Sequence, residues 1–363
     1  MKVAIDISQI IYGTGVSVYT RNLVTRLIDL YPETDFVLFG GSLRRKQDLD
    51  QFIRRHKAVG KTFFLPPRFL DLLWNSFHLF QVEKLIGEVD VIHTSDWAEP
   101  PSRLPKVTTV HDLVPLIYPD TTHSTIKSAH KKRLAWVTRE SSAILSVSQS
   151  TKKDLVDILK VDPKKITVTH EGVDERYFPQ PPDAVNRLKK KYHLDGDFLF
   201  SLSTLEPRKN QANLILAFNK LKSKYPHLKL LIGGGTGWGV DLAPQNDIFM
   251  PGFIPETDLP SLYTSCKTFI LPSLYEGFGL PLLQAMACGA PVVTSNVSSM
   301  PEVVGKAGIL IDPKDVDSLA TGIITALKSG PSLSLRSLER AKLFTWDETA
   351  RLTYEVYQQV AKI

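Results

Sequence analysis

The chain has 363 residues, of which 43% are hydrophobic and 23% are charged, and its formal net charge is +6. This length and this balance exclude a largely disordered chain and favour two globular domains over one. No run of eighteen apolar residues occurs, so the sequence predicts no membrane-spanning helix.

Strand-like and helix-like segments alternate through the first half of the chain. Apolar residues at helical spacing, among them Val16, Tyr19 and Leu23, predict a helix over residues 15–30. Such alternation is typical of a parallel sheet with helices on both faces. The predicted strands are residues 2–7, 36–39, 62–65, 89–94, 106–111 and 143–148.

A proline-rich and then basic stretch, residues 175–197, has no strand pattern and predicts a linker. The alternation then starts again, with a helix from Asn210. We therefore predict two α/β domains, residues 1–180 and 181–345, and a final helix over residues 346–363. The predicted strands of the second domain are residues 198–203, 228–233, 247–250, 268–273, 291–295 and 308–312.

Basic residues are concentrated in two clusters. The first, between Arg44 and Arg68, has eight cations against Asp48 and Asp50, and the second spans residues 127–133. Two interpretations stay open, solvated helix faces and contact with an anionic membrane surface. No zinc-finger spacing or stacked-aromatic pattern accompanies the clusters, so we predict no nucleic-acid partner.

The start of the sequence lacks the apolar core and cleavage site of a signal peptide. Cys266 and Cys288 form no paired metal or redox motif and fit buried thiols in a reducing compartment. These features predict a cytoplasmic protein, and lipid binding by the basic clusters would place it at the inner face of the membrane.

Two features of the first domain follow predicted strands, where open parallel sheets bind ligands. Gly13-Thr14-Gly15 opens a helix, and its glycines let an anion approach the backbone N–H groups. Two interpretations of this loop stay open, a phosphate-binding loop and a tight turn without a ligand. The third glycine of the dinucleotide-binding motif is missing, which disfavours a dinucleotide-dependent oxidoreductase. His111 ends the fifth predicted strand and could donate to a substrate hydroxyl, with a purely structural histidine as the alternative.

Two motifs of the second domain also follow predicted strands. Arg208 and Lys209 stand just before a helix, where a cation gains nothing from the helix dipole, so both are better explained by a bound diphosphate. Glu276 comes before the next such helix and is followed by Gly277 and Gly279, which expose backbone N–H groups. Gln284 lies on that helix, about two turns after Glu276, so the two side chains could contact one elongated ligand. The alternative is a glutamate that caps the helix and a glutamine that faces solvent.

These residues resemble the retaining glycosyltransferases of family 4, which have the GT-B fold of two Rossmann-like parallel-sheet domains facing across a cleft. The resemblance covers nearly the whole chain and is most specific in the second domain. The segments that carry it are GTGVSVYTRNL, HDLVPL, SVSQSTKKDL, EPRKN, LPSLYEGFGLPLLQAMACGAPVV and SNVSSMPEVVGKAGILIDPKD.

The resemblance implies roles for individual residues. Arg208 and Lys209 would bind the donor diphosphate, and Glu276 would hold the sugar hydroxyls with the help of backbone N–H groups. His111 would lie beside the transferred sugar. The implied catalytic residues are Arg208, Lys209, Glu276 and His111. The implied donor-binding residues are Gly15, Glu206, Gly277, Phe278, Gly279, Leu280 and Gln284.

The sequence departs from the family pattern at Gln284, where a glutamate that accepts from both ribose hydroxyls is usual. A glutamine accepts with one oxygen and donates with its nitrogen, at a cost of about 1–2 kcal/mol in charge-assisted hydrogen bonding. We therefore expect weaker nucleotide binding without damage to the reacting centre.

The resemblance further implies that the final helix, residues 346–363, packs back on the first domain. It also implies an enzyme that needs neither metal nor cofactor. The segments VSSMPEVVG and GGGTGW resemble mannosyl- and glucosyltransferases of bacterial polysaccharide synthesis, which favours GDP-mannose first and UDP-glucose second as donor. The expected acceptor is a glycan or a lipid-linked glycan. The alternative is a non-catalytic or weakly active protein that binds sugar nucleotides; a phosphorylase is disfavoured because no lysine motif for a pyridoxal group is present.

Overall fold

The structure, a computed structural model, describes residues 1–235, 237–239 and 245–362. Two positions of the sequence predictions, Thr236 in the GGGTGW segment and Ile363, lie outside the described residues. The chain divides into two compact units. The first unit comprises Met1–Gly172 and Trp346–Ile363, and the second comprises Val173–Thr345.

The first unit contains a seven-stranded sheet in the order β3-β2-β1-β4-β5-β6-β7, in which every pair is parallel. Its strands are β1 (Lys2–Asp6), β2 (Asp35–Gly41), β3 (Val59–Phe63), β4 (Val91–Ser95), β5 (Lys106–Val110), β6 (Ala143–Ser146) and β7 (Ile166–Val168). Its helices are α1 (Gly15–Leu30), α2 (Lys46–Arg55), α3 (Pro67–Leu70), a π-helix (Asp71–Ser76), α4 (Glu83–Ile86), α5 (Val114–Ile117), α6 (Ser124–Glu140) and α7 (Gln149–Leu159).

The second unit contains a six-stranded parallel sheet in the order β10-β9-β8-β11-β12-β13. Its strands are β8 (Phe198–Leu202), β9 (Lys229–Gly233), β10 (Ile248–Gly252), β11 (Thr268–Leu271), β12 (Val292–Ser295) and β13 (Ile309–Ile311). Its helices are α8 (Pro182–Lys191), α9 (Gln211–Leu221), α10 (Leu259–Ser265), α11 (Leu280–Ala287), α12 (Met300–Val304), α13 (Val316–Lys328) and α14 (Gly330–Ala341).

The central strands are apolar almost throughout because helices cover both faces of each sheet. In the second unit, Leu199, Ile270 and Val293 pack with α9 and α13 in one core. In the first unit, one core contains Ala4 and Ile92, and another lies under α6 and α7. The predicted parallel α/β architecture is confirmed.

The last helix, α15 (Trp346–Ala361), belongs to the first unit and packs along α1. Tyr354 stacks on Tyr31 with ring centroids 3.6 Å apart, and its hydroxyl lies 2.7 Å from Thr34 Oγ1. The hydroxyl of Tyr357 lies 2.5 Å from Nδ1 of His93.

The division between the units lies at Gly172 rather than after residue 180. The segment after Gly172 packs within the second unit: the amide of Val173 donates to the Phe344 carbonyl, and the amide of Gln180 donates to Thr264. The predicted linker also contains α8, whose Leu188 is buried. A basic helix with few apolar positions gave too weak a periodic pattern to be predicted.

The second basic cluster is less exposed than the sequence implied. Lys127, Lys131 and Lys132 face solvent, whereas His130 and Arg133 are buried under α6. Helical spacing explains this split, because positions 130 and 133 share the face that packs on the sheet, where Arg133 donates to the Thr109 carbonyl. Among the described residues, no helix is both long enough and apolar enough to cross a bilayer.

Candidate active site

The order of the second sheet changes direction between β8 and β11. In open α/β sheets the loops that follow such a pair of strands border the ligand-binding crevice. Residues 206–210 follow β8, and residues 272–279 follow β11. The two motifs singled out in the sequence therefore meet at the place where the fold favours a ligand.

Asn210 fixes the loop after β8. It adopts the left-handed conformation, with φ of 61°, between a 3₁₀ turn (Pro207–Lys209) and α9. Its side-chain amide donates to the carbonyls of Pro272 at 3.0 Å and Pro313 at 2.7 Å, which follow β11 and β13. The Arg208 carbonyl also accepts from the Leu274 amide at 2.8 Å. These bonds join the ends of three strands and position Arg208 and Lys209.

The predicted charged residues form one cluster. Lys209 Nζ lies 2.8 and 2.9 Å from the two carboxylate oxygens of Glu276. Arg208 donates to the Tyr275 carbonyl at 2.5 Å, and its other contacts include Glu276 at 3.4 Å and Glu206 at 3.3 Å. The charged side chains are between 11% and 14% exposed, so water screens them weakly.

The carboxylate of Glu276 is held ionised. Burial alone would raise its pKa, but the charges of Lys209 and Arg208, with hydrogen bonds from Lys209 and Ser273, lower the pKa to about 2. Ser273 donates to this carboxylate at 2.6 Å, and the Glu276 amide donates to Ser298 at 3.0 Å. An ionised carboxylate accepts hydrogen bonds only, which suits it to sugar hydroxyls.

The glycine-rich segment after Glu276 leads into α11. Gly279 has φ of 102° and precedes the helix, whose first residue is Leu280. Gly277 lies next to Glu276 in this loop. The Phe278 side chain packs edge-on against Phe344, and its carbonyl accepts from Ser299. Phe278 therefore holds the loop in place, while a helix N-terminus offers unpaired backbone N–H groups to an anion.

Gln284 does not join the charged cluster. It is buried on α11, and its side-chain oxygen accepts from the Tyr263 hydroxyl at 3.3 Å. Among the described residues, its amide nitrogen has no hydrogen-bond partner. The side-chain oxygen of Gln284 is thus hydrogen-bonded within the second unit, and its amide nitrogen is the group that could donate to a ligand.

The first unit holds the two remaining predicted residues. Gly15 opens α1 after the Thr14 cap, and a Cβ atom added to it would meet open space. His111 follows β5 and is buried, with its Nδ1 atom 3.6 Å from Glu171 and its ring edge-on to Tyr19 of α1. Its Nε2 atom has no hydrogen-bond partner in the described part of the chain.

Several residues that surround these groups were not predicted from the sequence. Ser273, Ser298 and Tyr263 contact Glu276 or Gln284, and Glu171 faces His111. Ser273 and Glu171 both follow strands, β11 and β7, so the rule that found His111 could have found them. Tyr263 and Ser298 are brought in from other elements and carry no local pattern.

Within the residues that the structure describes, no group of three or more His, Cys, Asp or Glu side chains is arranged to hold a metal ion. Metal independence stays a prediction.

The fold is shared with solved glycosyltransferase structures. The crystal structure of Anabaena HepE in complex with UDP-glucose superposes with a TM-score of 0.74 at 17% identity, covering 99% of this chain and 100% of that one. Sucrose-phosphate synthase from Thermosynechococcus elongatus gives a TM-score of 0.73 at 19% identity and covers 99% of both chains. The architecture is that of the GT-B class of glycosyltransferases.

Sequence comparisons narrow this class to a family. Residues 13–177 match the model described as Glycosyltransferase Family 4, and residues 185–342 match Glycosyl transferases group 1. The O-antigen chain mannosyltransferase B of Escherichia coli is 34% identical over 275 residues, which cover 71% of each chain. The serotype-specific mannosyltransferase WbdA of Escherichia coli is 30% identical over 271 residues, 69% of this chain but 33% of WbdA.

This chain therefore belongs to glycosyltransferase family 4.

Proposed function

We propose that the protein transfers a hexose, with retention of configuration, from a nucleotide-diphosphate sugar to a glycan or lipid-linked glycan. Two relatives are named mannosyltransferases, which favours mannose and therefore GDP-mannose as the donor. UDP-glucose is the second candidate, since a protein of the same fold was solved in complex with it.

The observation that carries the proposal is the neutral cluster of Glu206, Arg208, Lys209 and Glu276 at the switch point of the second sheet. Its two cations and two carboxylates leave no net charge. An incoming diphosphate would draw Arg208 and Lys209 toward its oxygens, and Glu276 would then be free to accept from sugar hydroxyls. The cluster has the parts that a sugar diphosphate requires.

The chemistry follows from where charge develops. The bond between the anomeric carbon and the diphosphate breaks, a bond to the acceptor oxygen forms on the same face of the sugar, and the acceptor proton passes to the departing diphosphate. Negative charge grows on the leaving group, so the preorganised cations Arg208 and Lys209 stabilise the transition state more than the ground state. No metal is needed for this step.

His111 is proposed to contact the transferred sugar. Its Nε2 atom is buried without a partner among the described residues, an arrangement that costs free energy unless a ligand completes it. Glu171 lies 3.6 Å from the other ring nitrogen and would fix the orientation of the imidazole.

Steady-state kinetics with GDP-mannose and a glycan acceptor test the proposal. Arg208→Ala should lower kcat about 10²–10³-fold, because it removes stabilisation of the leaving group. Lys306→Ala, which removes an exposed cation from the same unit, should leave kcat unchanged. A folded Arg208→Ala protein with normal kcat would remove the central role proposed for this residue.

A non-catalytic sugar-nucleotide-binding protein is the second candidate, and the observation that favours it is Gln284. Mass spectrometry of the nucleotide sugar incubated with protein and acceptor separates the two. Release of nucleoside diphosphate with a matching gain of one hexose on the acceptor supports the enzyme, whereas binding without any release supports the alternative.

A further inference from the structure

Large exposed hydrophobic side chains are concentrated in one segment of the first unit. Six of the eighteen such residues in the described part of the chain lie between Phe64 and Phe80. Isolated exposed hydrophobic residues are common on protein surfaces, but a group of them marks an interaction site. The six are Phe64, Phe69, Leu72, Phe77, Leu79 and Phe80.

The backbone of this segment, the 64–80 surface, separates an inner from an outer side. Leu70 and Trp74 are buried in the core of the first unit, whereas Leu72 is 49% exposed and Phe77 is 63% exposed. The Phe77 amide donates to the Leu72 carbonyl at 3.0 Å, five residues back. One turn of π-helix thus separates Leu72 from Phe77, and both side chains lie on the outer side.

The turn that follows the π-helix holds its apolar side chains outward. His78 and Phe80 both have positive φ, 52° and 69°, which is unfavourable for residues other than glycine. His78 is fixed by stacking on Trp136 at 3.7 Å and by contacts of 2.8 Å with the Trp74 carbonyl and Glu140. The exposure of Phe77, Leu79 and Phe80 is therefore built into the fold.

Cations from different elements surround the 64–80 surface. Lys46 Nζ lies 5.1 Å from the centre of the Phe64 ring and also pairs with Asp50 at 2.8 Å, and Lys84 Nζ lies 5.6 Å from the centre of the Phe80 ring. Lys132 donates to Ser76 at 2.9 Å. Lys46 and Lys132 come from the two basic clusters found in the sequence, so both clusters reach the same surface.

Within the segment itself, Arg68 is exposed, and the acidic residue Asp71 accepts a hydrogen bond from Asn75 at 2.8 Å. Exposed apolar side chains with lysines beside them fit a bilayer that carries negative headgroups, where aromatic side chains enter the interface and ammonium groups meet phosphates. Protein interfaces, in contrast, are depleted in lysine.

We propose that the 64–80 surface inserts shallowly into an anionic lipid bilayer, with Phe77 and Leu79 as the inserting side chains and Lys84 and Lys132 as the headgroup contacts. This membrane contact goes beyond the proposed transfer reaction and does not depend on the identity of the donor.

Co-sedimentation with lipid vesicles tests the proposal. The full chain should bind vesicles of phosphatidylcholine with phosphatidylglycerol, should bind phosphatidylcholine alone poorly, and should lose affinity at high salt. The double variant Phe77→Ser/Leu79→Ser should partition about tenfold less, because two apolar side chains no longer leave water. The matched control Leu335→Ser/Leu343→Ser removes two equally exposed side chains, 67% and 65%, from the second unit and should bind like the wild type.

A tryptophan probe reports insertion directly. The tryptophan fluorescence of Phe77→Trp should be quenched by vesicles that carry brominated acyl chains, to a greater extent than the fluorescence of the five native tryptophans. The fluorescence added by Phe253→Trp, in the second unit, should not be quenched.

Absence of wild-type binding to anionic vesicles overturns the proposal, as does an equal loss of binding in both double variants. Self-association that Phe77→Ser/Leu79→Ser abolishes, with vesicle binding unchanged, would assign the surface to a second copy instead. Donor turnover with a water-soluble acceptor should be unchanged in Phe77→Ser/Leu79→Ser, which separates this test from that of the transfer reaction.

Discussion

Two opposing effects act on the pKa of Glu276, which lies in the second unit. Burial disfavours its ionised form, while Lys209 and Arg208 favour it, and the pKa falls from its ordinary value of 4.5 to about 2. A carboxyl group with a lower pKa in the folded protein stabilises the fold at every pH above its unfolded value. This contribution, about 3 kcal/mol for a buried group, is lost as the pH falls from 4.5 toward 2.

The variant Glu276→Gln should therefore be less stable than the wild type near neutral pH, by about 2–3 kcal/mol. The gap should narrow as the pH falls through about 4, because only the wild type then loses an ionised carboxylate. Differential scanning calorimetry across this pH range measures the gap. Glu339→Gln makes the same change of charge at an exposed side chain and serves as the control. A gap that stays constant with pH would contradict the ionised state of Glu276.

Gln284 offers a second prediction for a single side chain. Gln284→Glu should tighten binding of a nucleoside diphosphate about tenfold, because a carboxylate accepts from both ribose hydroxyls. It should also lower stability by about 1–3 kcal/mol, since the position is buried and, among the described residues, Tyr263 is the only side chain that donates to it. Isothermal titration calorimetry measures the affinity, and thermal unfolding measures the cost. Lower stability without tighter binding would remove Gln284 from the nucleotide site.

The loop between β8 and α9 shows how one element positions two charges. Asn210 contributes a left-handed backbone and two hydrogen bonds, to the Pro272 and Pro313 carbonyls. An alanine there keeps neither the bonds nor an easy left-handed conformation. Arg208 and Lys209 would then lose the geometry that brings them to Glu276.

Asn210→Ala should destabilise the second unit by about 2–4 kcal/mol and lower kcat/KM at least tenfold. Asn213→Ala is the matched control, because Asn213 donates one bond to the same Pro313 carbonyl, at 3.1 Å, from regular helix. It should cost about 1 kcal/mol and leave kcat/KM unchanged. Thermal unfolding and steady-state kinetics on both variants decide the matter, and equal kinetic effects would contradict a specific role for the Asn210 loop.

At the level of elements, the sequence predicts what depends on local patterning. Strands such as β1 and β8 are apolar on both faces and end at recognisable polar motifs, so their positions and the groups that follow them could be predicted. Strand β7 and helix α8 could not. The strand has three residues, and the helix buries little beyond Leu188, so neither leaves a periodic pattern long enough to recognise.

Contacts between distant elements are the other part that the sequence leaves open. Tyr263 reaches Gln284 from α10, and Ser298 reaches the Glu276 amide from the turn before α12. Such pairs depend on how helices pack against a sheet, which local spacing does not specify. The predicted domain boundary differs from the observed one for the same reason. Residues after Gly172 pack in the second unit because they bind Phe344 and Thr264, which lie far along the chain.

Across the whole molecule, both sheets use the same strand order. Each runs from its third strand through its second and first to its fourth, and in both the crossover direction changes between the first and fourth strands. That change creates a crevice at the carboxyl ends in each unit. In the second unit it coincides with the charged cluster, and in the first unit the Gly13-Thr14-Gly15 loop follows β1 at the same topological position.

The last helix ties the end of the chain to the first unit, and this defines a prediction about the molecule as a whole. Tyr354→Ala removes the stack on Tyr31 and the contact with Thr34, which should cost about 3–5 kcal/mol. Since α15 contacts β4, β5 and β6 as well as α1, the loss should spread through the first unit.

Hydrogen exchange followed by mass spectrometry shows which parts of the chain lose stability in Tyr354→Ala. In Tyr354→Ala, peptides from residues 1–172 should exchange faster, while peptides from residues 173–345 should keep the wild-type rate, because the two units have separate cores. Gln358→Ala, at an exposed position on the same helix, should leave both sets unchanged. Faster exchange in both units would mean that they unfold as one cooperative body, and faster exchange in neither would mean that α15 adds little to the stability of the first unit.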